Sequence, residues 1–212
     1  MIKMYCILIA GLPAAGKSRF AEWLAVRRGL PSLSKDAVKE KLFDTVGFRS
    51  REEKVALGRA AQEIVCDTAE RLMAAGLPLI LENNFETSSR EGILRLLERY
   101  RCIPVTVLFD GDLRTIYRRF VERDRSPERH RGHVVNTAYP EREESPPCVP
   151  VSFEVFARGA AERGFREFDV GGIRIVVDST DLSRLDYEAV NMEITAALSA
   201  AHERKEASQS CE

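Results

Sequence analysis

GLPAAGKS, residues 11–18, fits the spacing G-x-x-x-x-G-K-[ST] and stands between an apolar run, MYCILIA, and a segment of helical period, KSRFAEWLAVRR. That context suits phosphate chemistry, because backbone N–H groups of such a loop can cradle phosphate oxygens. Gly11 and Gly16 allow conformations and close approaches that a side chain would block. Lys17 adds a point charge at the β and γ phosphates, and Ser18 offers a hydroxyl to Mg²⁺. Ala14, Ala15 and Arg19 complete the stretch expected to hold the ligand. A nucleoside triphosphate, ATP by default, is the expected cofactor, together with Mg²⁺. The motif does not say what receives the phosphate.

Such a loop must be fed by a strand and drained by a helix, and the rest of the chain repeats that alternation, the signature of βα units around a parallel sheet. Strand-length apolar runs occur at 4–10, 30–34 (short), 78–82, 103–110 and 172–178. Segments of helical period follow at 36 to about 45, about 52–75, 90–101, 112–125, 151–164 and 187 to about 202. Gly76 with Pro78 is the expected stop of the long second one. In the helix at 112–125, Leu113, Ile116, Tyr117, Phe120 and Val121 form the apolar side. Residues 126–150 lose all period and include the proline-rich PEREESPPCVP, so they read as a long loop of the kind used for lids or binding. We expect one domain, 1–203, and a frayed polar tail, 204–212.

Composition narrows the class. With 212 residues, 44% apolar and 31% charged, and a net charge of −1, the chain is an ordinary globular protein and too neutral to coat a nucleic-acid duplex. Its five cysteines form no CxxC pair and no zinc-ligand spacing, which suits reduced structural thiols and a cytoplasmic location. The first apolar run is too short for a membrane span. No Asn/Thr-Lys-x-Asp element for reading guanine is present, and no strand ends in the Asp-Glu pair of mechanochemical ATPases. The format is that of a small kinase.

Four elements in order, GLPAAGKS, SKDAVKEKL, LILENNF and the helix ending RRFVERDR, resemble the P-loop kinases related to polynucleotide 5′-hydroxyl kinase, zeta toxin, chloramphenicol phosphotransferase and gluconate kinase, whose ATP-binding domain is AAA-like. The resemblance spans roughly the first 130 residues. It implies a three-layer α/β sandwich of the P-loop NTPase type, a central, mainly parallel five-stranded sheet, and a helical lid within about 114–150. It also implies that Asp36 contacts the acceptor hydroxyl, with Lys39 where polynucleotide kinases carry Arg. Lysine lacks the bidentate fork of arginine, which weighs against a polynucleotide acceptor. Asp36 has a second reading as the cap of the helix that follows, a role open to Ser34 as well. Glu82 and Asn84 match the family's strand-tip acid and amide, and a surface Glu just past a strand is the alternative. Asp36 or Glu82 could also reach Mg²⁺ through water.

Arg119 and Arg123 lie four apart on one helix face, as do Arg114 and Arg118. The resemblance places Arg119 and Arg123 over the transferring phosphoryl group, while the interleaved Glu122, Asp124 and Glu128 fit a solvated face with internal ion pairs. His130 and His133 are candidates for an anionic group on the acceptor or on ATP. Asp178, Ser179 and Thr180 are placed either at the adenine pocket or in a simple turn. The expected activity is transfer of the ATP γ-phosphate to a hydroxyl of a small molecule, with Asp36 as base and Lys17, Arg119 and Arg123 stabilising the phosphoryl group. An oligonucleotide 5′-hydroxyl is the alternative acceptor, and a nucleotide-binding regulatory or toxin-like module acting on a protein partner is the alternative of another class.

Overall fold

The computed structural model describes residues 4–141 and 149–209. Strand β1 (Tyr5–Gly11) is buried along its whole length and lies in the middle of the sheet. A strand covered on both faces has no polar side to present, so its sequence is a continuous apolar run without alternation. On either side of it pair β3 (Leu79–Glu82) and β4 (Ile103–Asp110), and β2 (Ser32–Ser34) and β5 (Ile173–Asp178) form the edges. The order is β2-β3-β1-β4-β5, and every pairing is parallel, so the expected mainly parallel sheet is wholly so.

Helices α1 (Lys17–Arg28), α2 (Lys35–Thr45), α3 (Arg51–Ala74), α4 (Arg90–Arg99), α5 (Leu113–Arg125), α6 (Arg131–Val134), α7 (Phe153–Arg163) and α8 (Tyr187–Gln209) flank it. One face of the sheet packs Ile7, Ile9 and Phe109 against Phe20, Leu24, Ile116, Phe156 and Ile194. The other packs Leu8, Leu79 and Leu81 against Val65, Met73, Ile93 and Leu97. Three layers result, as expected. Parallel register carries Gly11, Ser34 and Glu82 to one rim, the strands' C-terminal ends, where ligands bind in open α/β sheets. No helix among the described residues is long and apolar enough to cross a membrane. Cys6, Cys66 and Cys102 are free, and burial pushes the Cys6 and Cys102 thiols up, the latter to about 11. Cys148 lies outside the described residues, as do Cys211 and the end of the expected tail; α8 runs to Gln209.

Residues 126–141 are more ordered than a bare loop. They contain α6 and an antiparallel bridge between Tyr139 and Phe48. Phe43, Phe48 and Val135 form a third buried cluster, with Leu57 and Tyr139 against it. Its members are single apolar residues that meet partners far away in sequence, so no local period betrays them. A Cβ on Gly132 would lie 2.3 Å from Phe43 Cδ2, so glycine is what lets α6 approach α2. From α3, buried Lys54 donates to the carbonyls of His133, at 2.8 Å, and Val135, and to Asn136 Oδ1 at 3.1 Å. Truncating Phe43 in a Phe43→Ala variant should cost about 3 kcal/mol in urea unfolding. The same variant should also be cut faster by trypsin at Arg129 and Arg131; unchanged cleavage would show that the cluster does not hold this segment.

Candidate functional site

β1 passes into α1 through a loop whose backbone explains its glycines. Gly11 has φ +129°, and a Cβ there would fall 2.1 Å from the Phe109 carbonyl oxygen, so its smallness serves the contact with β4. Gly16, at φ +95°, is the residue before α1, and Ala14 adopts φ +63°. Left-handed residues in this position turn successive N–H groups inward, an anion-binding concavity, and the first amides of α1 have no intrahelical acceptor. No acidic residue in the first turn competes for them. Ala15 lies beneath the loop, fully buried, and its N–H donates to the Leu12 carbonyl at 3.2 Å.

Lys17 is 5% exposed and donates to the Leu12 carbonyl at 2.7 Å and to Asn84 Oδ1 at 2.9 Å. Burial lowers its pKa to about 8, against the pull of Glu82 and Asp36, and Arg123 lowers it further. Glu82, buried at the tip of β3, accepts from Ser34 Oγ at 2.6 Å and Ser18 Oγ at 3.3 Å. Ser34 also caps α2, accepting from the Ala37 amide at 3.4 Å. The cap is therefore Ser34, which leaves the Asp36 carboxylate to the cleft. Glu82 is a buried, hydrogen-bonded acid; the alternative of a surface residue is set aside.

Lys17, Ser18, Arg19, Asp36, Lys39, Glu82 and Asn84 line one cavity of about 410 Å³ with Arg119, Arg123, Arg129 and His133. Asp36 opens onto the cleft, yet the protein crowded around it thins its water. That desolvation alone would raise its pKa, but His133, Lys39, Arg129 and Lys17 hold the carboxyl below its ordinary value. Arg119 donates to the Ser179 carbonyl at 2.7 Å, while its buried Nε and Nη1 have no hydrogen-bond partner among the described residues. Arg123 reaches Asp124 at 3.3 Å. Of the α5 arginines, Arg119 and Arg123 line the cavity with Phe120 beside them, whereas Arg114 and Arg118 do not.

The two histidines part company. His133 lines the cavity and bonds through Nε2 to Glu40 Oε1 at 2.8 Å. His130 does not line it: Nε2 meets Asp44 at 2.9 Å and Nδ1 accepts from the Gly132 amide at 3.1 Å, both structural contacts. Arg129, read in the sequence only as part of the 129–133 stretch that starts an acceptor-selecting loop, lines the cavity in its own right. Its arginine type and distance of six residues from Arg123 were the available signal, obscured because the chain leaves α5 between them. Asp178, Ser179 and Thr180 build the turn after β5, Ser179 Oγ donating to the Asp110 carbonyl at 2.9 Å and Asp178 accepting from the Thr180 amide at 2.9 Å. Leu182, just beyond, reaches the loop: a Cβ on Gly16 would come within 2.9 Å of it.

The family described as AAA domain (AAA_33) matches residues 6–139. No curated protein matches the sequence. Among solved structures, the fold is similar to that of a protein of Chloroflexus aurantiacus described as a kinase, at 25% identity and a TM-score of 0.69, over 94% of this chain and 98% of that one. It is also similar to a gluconokinase of Sinorhizobium meliloti, at 14% identity and TM-score 0.52 over 94% of each chain. A shikimate kinase of Aquifex aeolicus gives 15% and 0.52 over 93% of this chain and 98% of its own. The architecture is that of the P-loop kinases.

The lowered Lys17 pKa, about 8, has a measurable consequence. A triphosphate favours the ammonium, so ATP binding should take up protons near pH 8 and weaken as pH rises through that value. Calorimetry in buffers of different ionisation enthalpy reads the uptake, which Lys17→Met should abolish.

Proposed function

The chain belongs to the AAA domain family, and from that membership we propose that it is a phosphotransferase that moves the γ-phosphate of ATP to a hydroxyl of a small molecule. The observation that carries this reading is that Lys17, at the phosphate loop, and Asp36, a carboxylate held ionised, face one cavity between them. Phosphoryl transfer needs an acceptor hydroxyl oriented and relieved of its proton, and stabilisation of the charge on the transferring group. Asp36 supplies the first, accepting the hydroxyl proton as the acceptor oxygen attacks the γ-phosphorus. Lys17, Arg119 and Arg123 supply the second. Their donors are preorganised along the cleft, where a guanidinium stabilises an oxyanion more than it does in bulk water.

The donor set at Ser18 and Glu82 fits Mg²⁺. One hydroxyl and one buried carboxylate, 3.3 Å apart, can share a small hard cation that takes its remaining oxygens from phosphates and water. No group of three or more His, Cys, Asp or Glu side chains among the described residues could cage a metal by itself. When bound, Mg²⁺ would neutralise charge on the β and γ phosphates. Arg19 and the amides of Ala14 to Ser18 complete the nucleotide side.

A 5′-hydroxyl oligonucleotide is a second reading, favoured by the cations on the acceptor side of the cleft and opposed by Lys39 in place of arginine. Radiolabelled ATP offered with sugars, hydroxy acids, nucleosides and 5′-hydroxyl oligonucleotides separates the two. In the same assay Asp36→Asn should lower kcat by about 100-fold or more, with the KM for ATP changed by no more than a few-fold. Transfer at the parent rate by that variant would remove Asp36 from the mechanism.

A further inference from the structure

The cavity holds more positive charge than a nucleotide uses. Six cations, Lys17, Arg19, Lys39, Arg119, Arg123 and Arg129, face two carboxylates, Asp36 and Glu82. A triphosphate with its Mg²⁺ neutralises part of that surplus, and geometry says which part. Arg119 leans on Ser179 and Asp181 beside the phosphate loop, and Arg123 lies near Lys17. Arg129 and Lys39 stand around Asp36, with Arg129 also beside Arg123, the two sharing Asp124 at 3.6 and 3.3 Å.

Neither of these two has a local partner that satisfies it. Arg129 is 16% exposed, yet it meets Asp124 only at 3.6 Å and Glu40 only at 3.9 Å, and its buried Nε has no hydrogen-bond partner among the described residues. Lys39 makes no hydrogen bond or ion pair among the described residues; its ammonium lies 5.4 Å from the Phe43 ring centre and passes over Gly58, where a Cβ would stand 3.7 Å from Nζ. Lys35, Arg51 and Arg129 surround it with like charge, against the single Asp36. Half-buried cations without donors' partners are costly unless an anion completes them.

We propose that the acceptor carries an anionic group, a carboxylate or a phosphate, and that Arg129 and Lys39 bind it beside Asp36 while the hydroxyl meets that carboxylate. The assignment rests on the phosphotransferase reading and narrows it from any hydroxyl compound to hydroxy acids and phosphorylated alcohols. Arg129 is then a substrate-binding residue, distinct from the phosphoryl-stabilising pair on α5. The rival account gives Arg129 and Lys39 no duty except to keep Asp36 ionised. It requires that their loss shift the acid side of the rate profile equally for every acceptor.

Two measurements decide the matter. With the protein saturated by Mg²⁺ and a non-hydrolysable ATP analogue, calorimetry should show D-glycerate or ribose 5-phosphate binding at least tenfold more tightly than glycerol or ribose. Which acid binds identifies carboxylate or phosphate as the group. Arg129→Gln should erase that difference, and Arg118→Gln, on the exposed face of α5, should keep it. Equal binding of the neutral partners, no anion binding, or displacement of the ATP analogue by the anion overturns the proposal. With labelled ATP, transfer to the neutral compounds as readily as to the acids would sink the anionic acceptor and leave phosphotransfer standing. Selective anion binding with no transfer to any hydroxyl would do the reverse.

Discussion

Glu82 ends a strand that is buried along its length, in a place where a carboxylate is costly unless donors surround it. Ser34 and Ser18 provide them, and Lys17 adds a charge nearby. Those contacts tie together the tips of β2 and β3 and the first turns of α1 and α2. The distance between the phosphate loop and Asp36, two residues past Ser34, is set by that tie. Removing the acid would leave two hydroxyls without an acceptor and loosen the phosphate loop from α2. What makes the site possible is thus a buried polar knot, with the sheet's parallel register as its frame.

The second half of the cavity is built differently. Arg129 and His133 are carried on the chain leaving α5, which is fastened to α2 and α3 by Phe43, Phe48, Val135 and Lys54. Side-chain polar bonds do the fine placement, His133 on Glu40 and His130 on Asp44. Both acids lie on α2, one turn apart, so the helix that bears Asp36 also carries the hooks for the wall opposite.

The sheet and the phosphate half were legible in the residues because their signals are local. Five apolar runs, a glycine-bearing loop and helical periods each lie within a short window. Asp36, Glu82 and Asn84 came through the resemblance of SKDAVKEKL and LILENNF to the kinase family's elements after the second strand and at the tip of the third. The choice between Ser34 and Asp36 as cap was open because both types cap helices, and it is resolved by the Ala37 amide, which donates to Ser34 Oγ while Ser34 itself donates to Glu82, 48 residues away. The order within 126–141 was hidden for a related reason: Phe43 and Val135 are apolar singletons whose meaning lies in their pairing, and a periodicity reading has no access to pairings. Arg129 was legible only as one of the 129–133 stretch read as the start of an acceptor-selecting loop, because its own value comes from Asp36 and Lys39 being near it in space.

The fastening of 131–139 to α2 and α3 through a cluster of its own, apart from the two sheet-facing cores, makes this wall a separable cassette. That cluster contains no residue of the phosphate loop or of the strands. A fold so divided can exchange what it recognises while conserving how it handles the nucleotide, and grafting the α2–α3 turn with its matching 129–139 segment is the route by which a new specificity would be built into it.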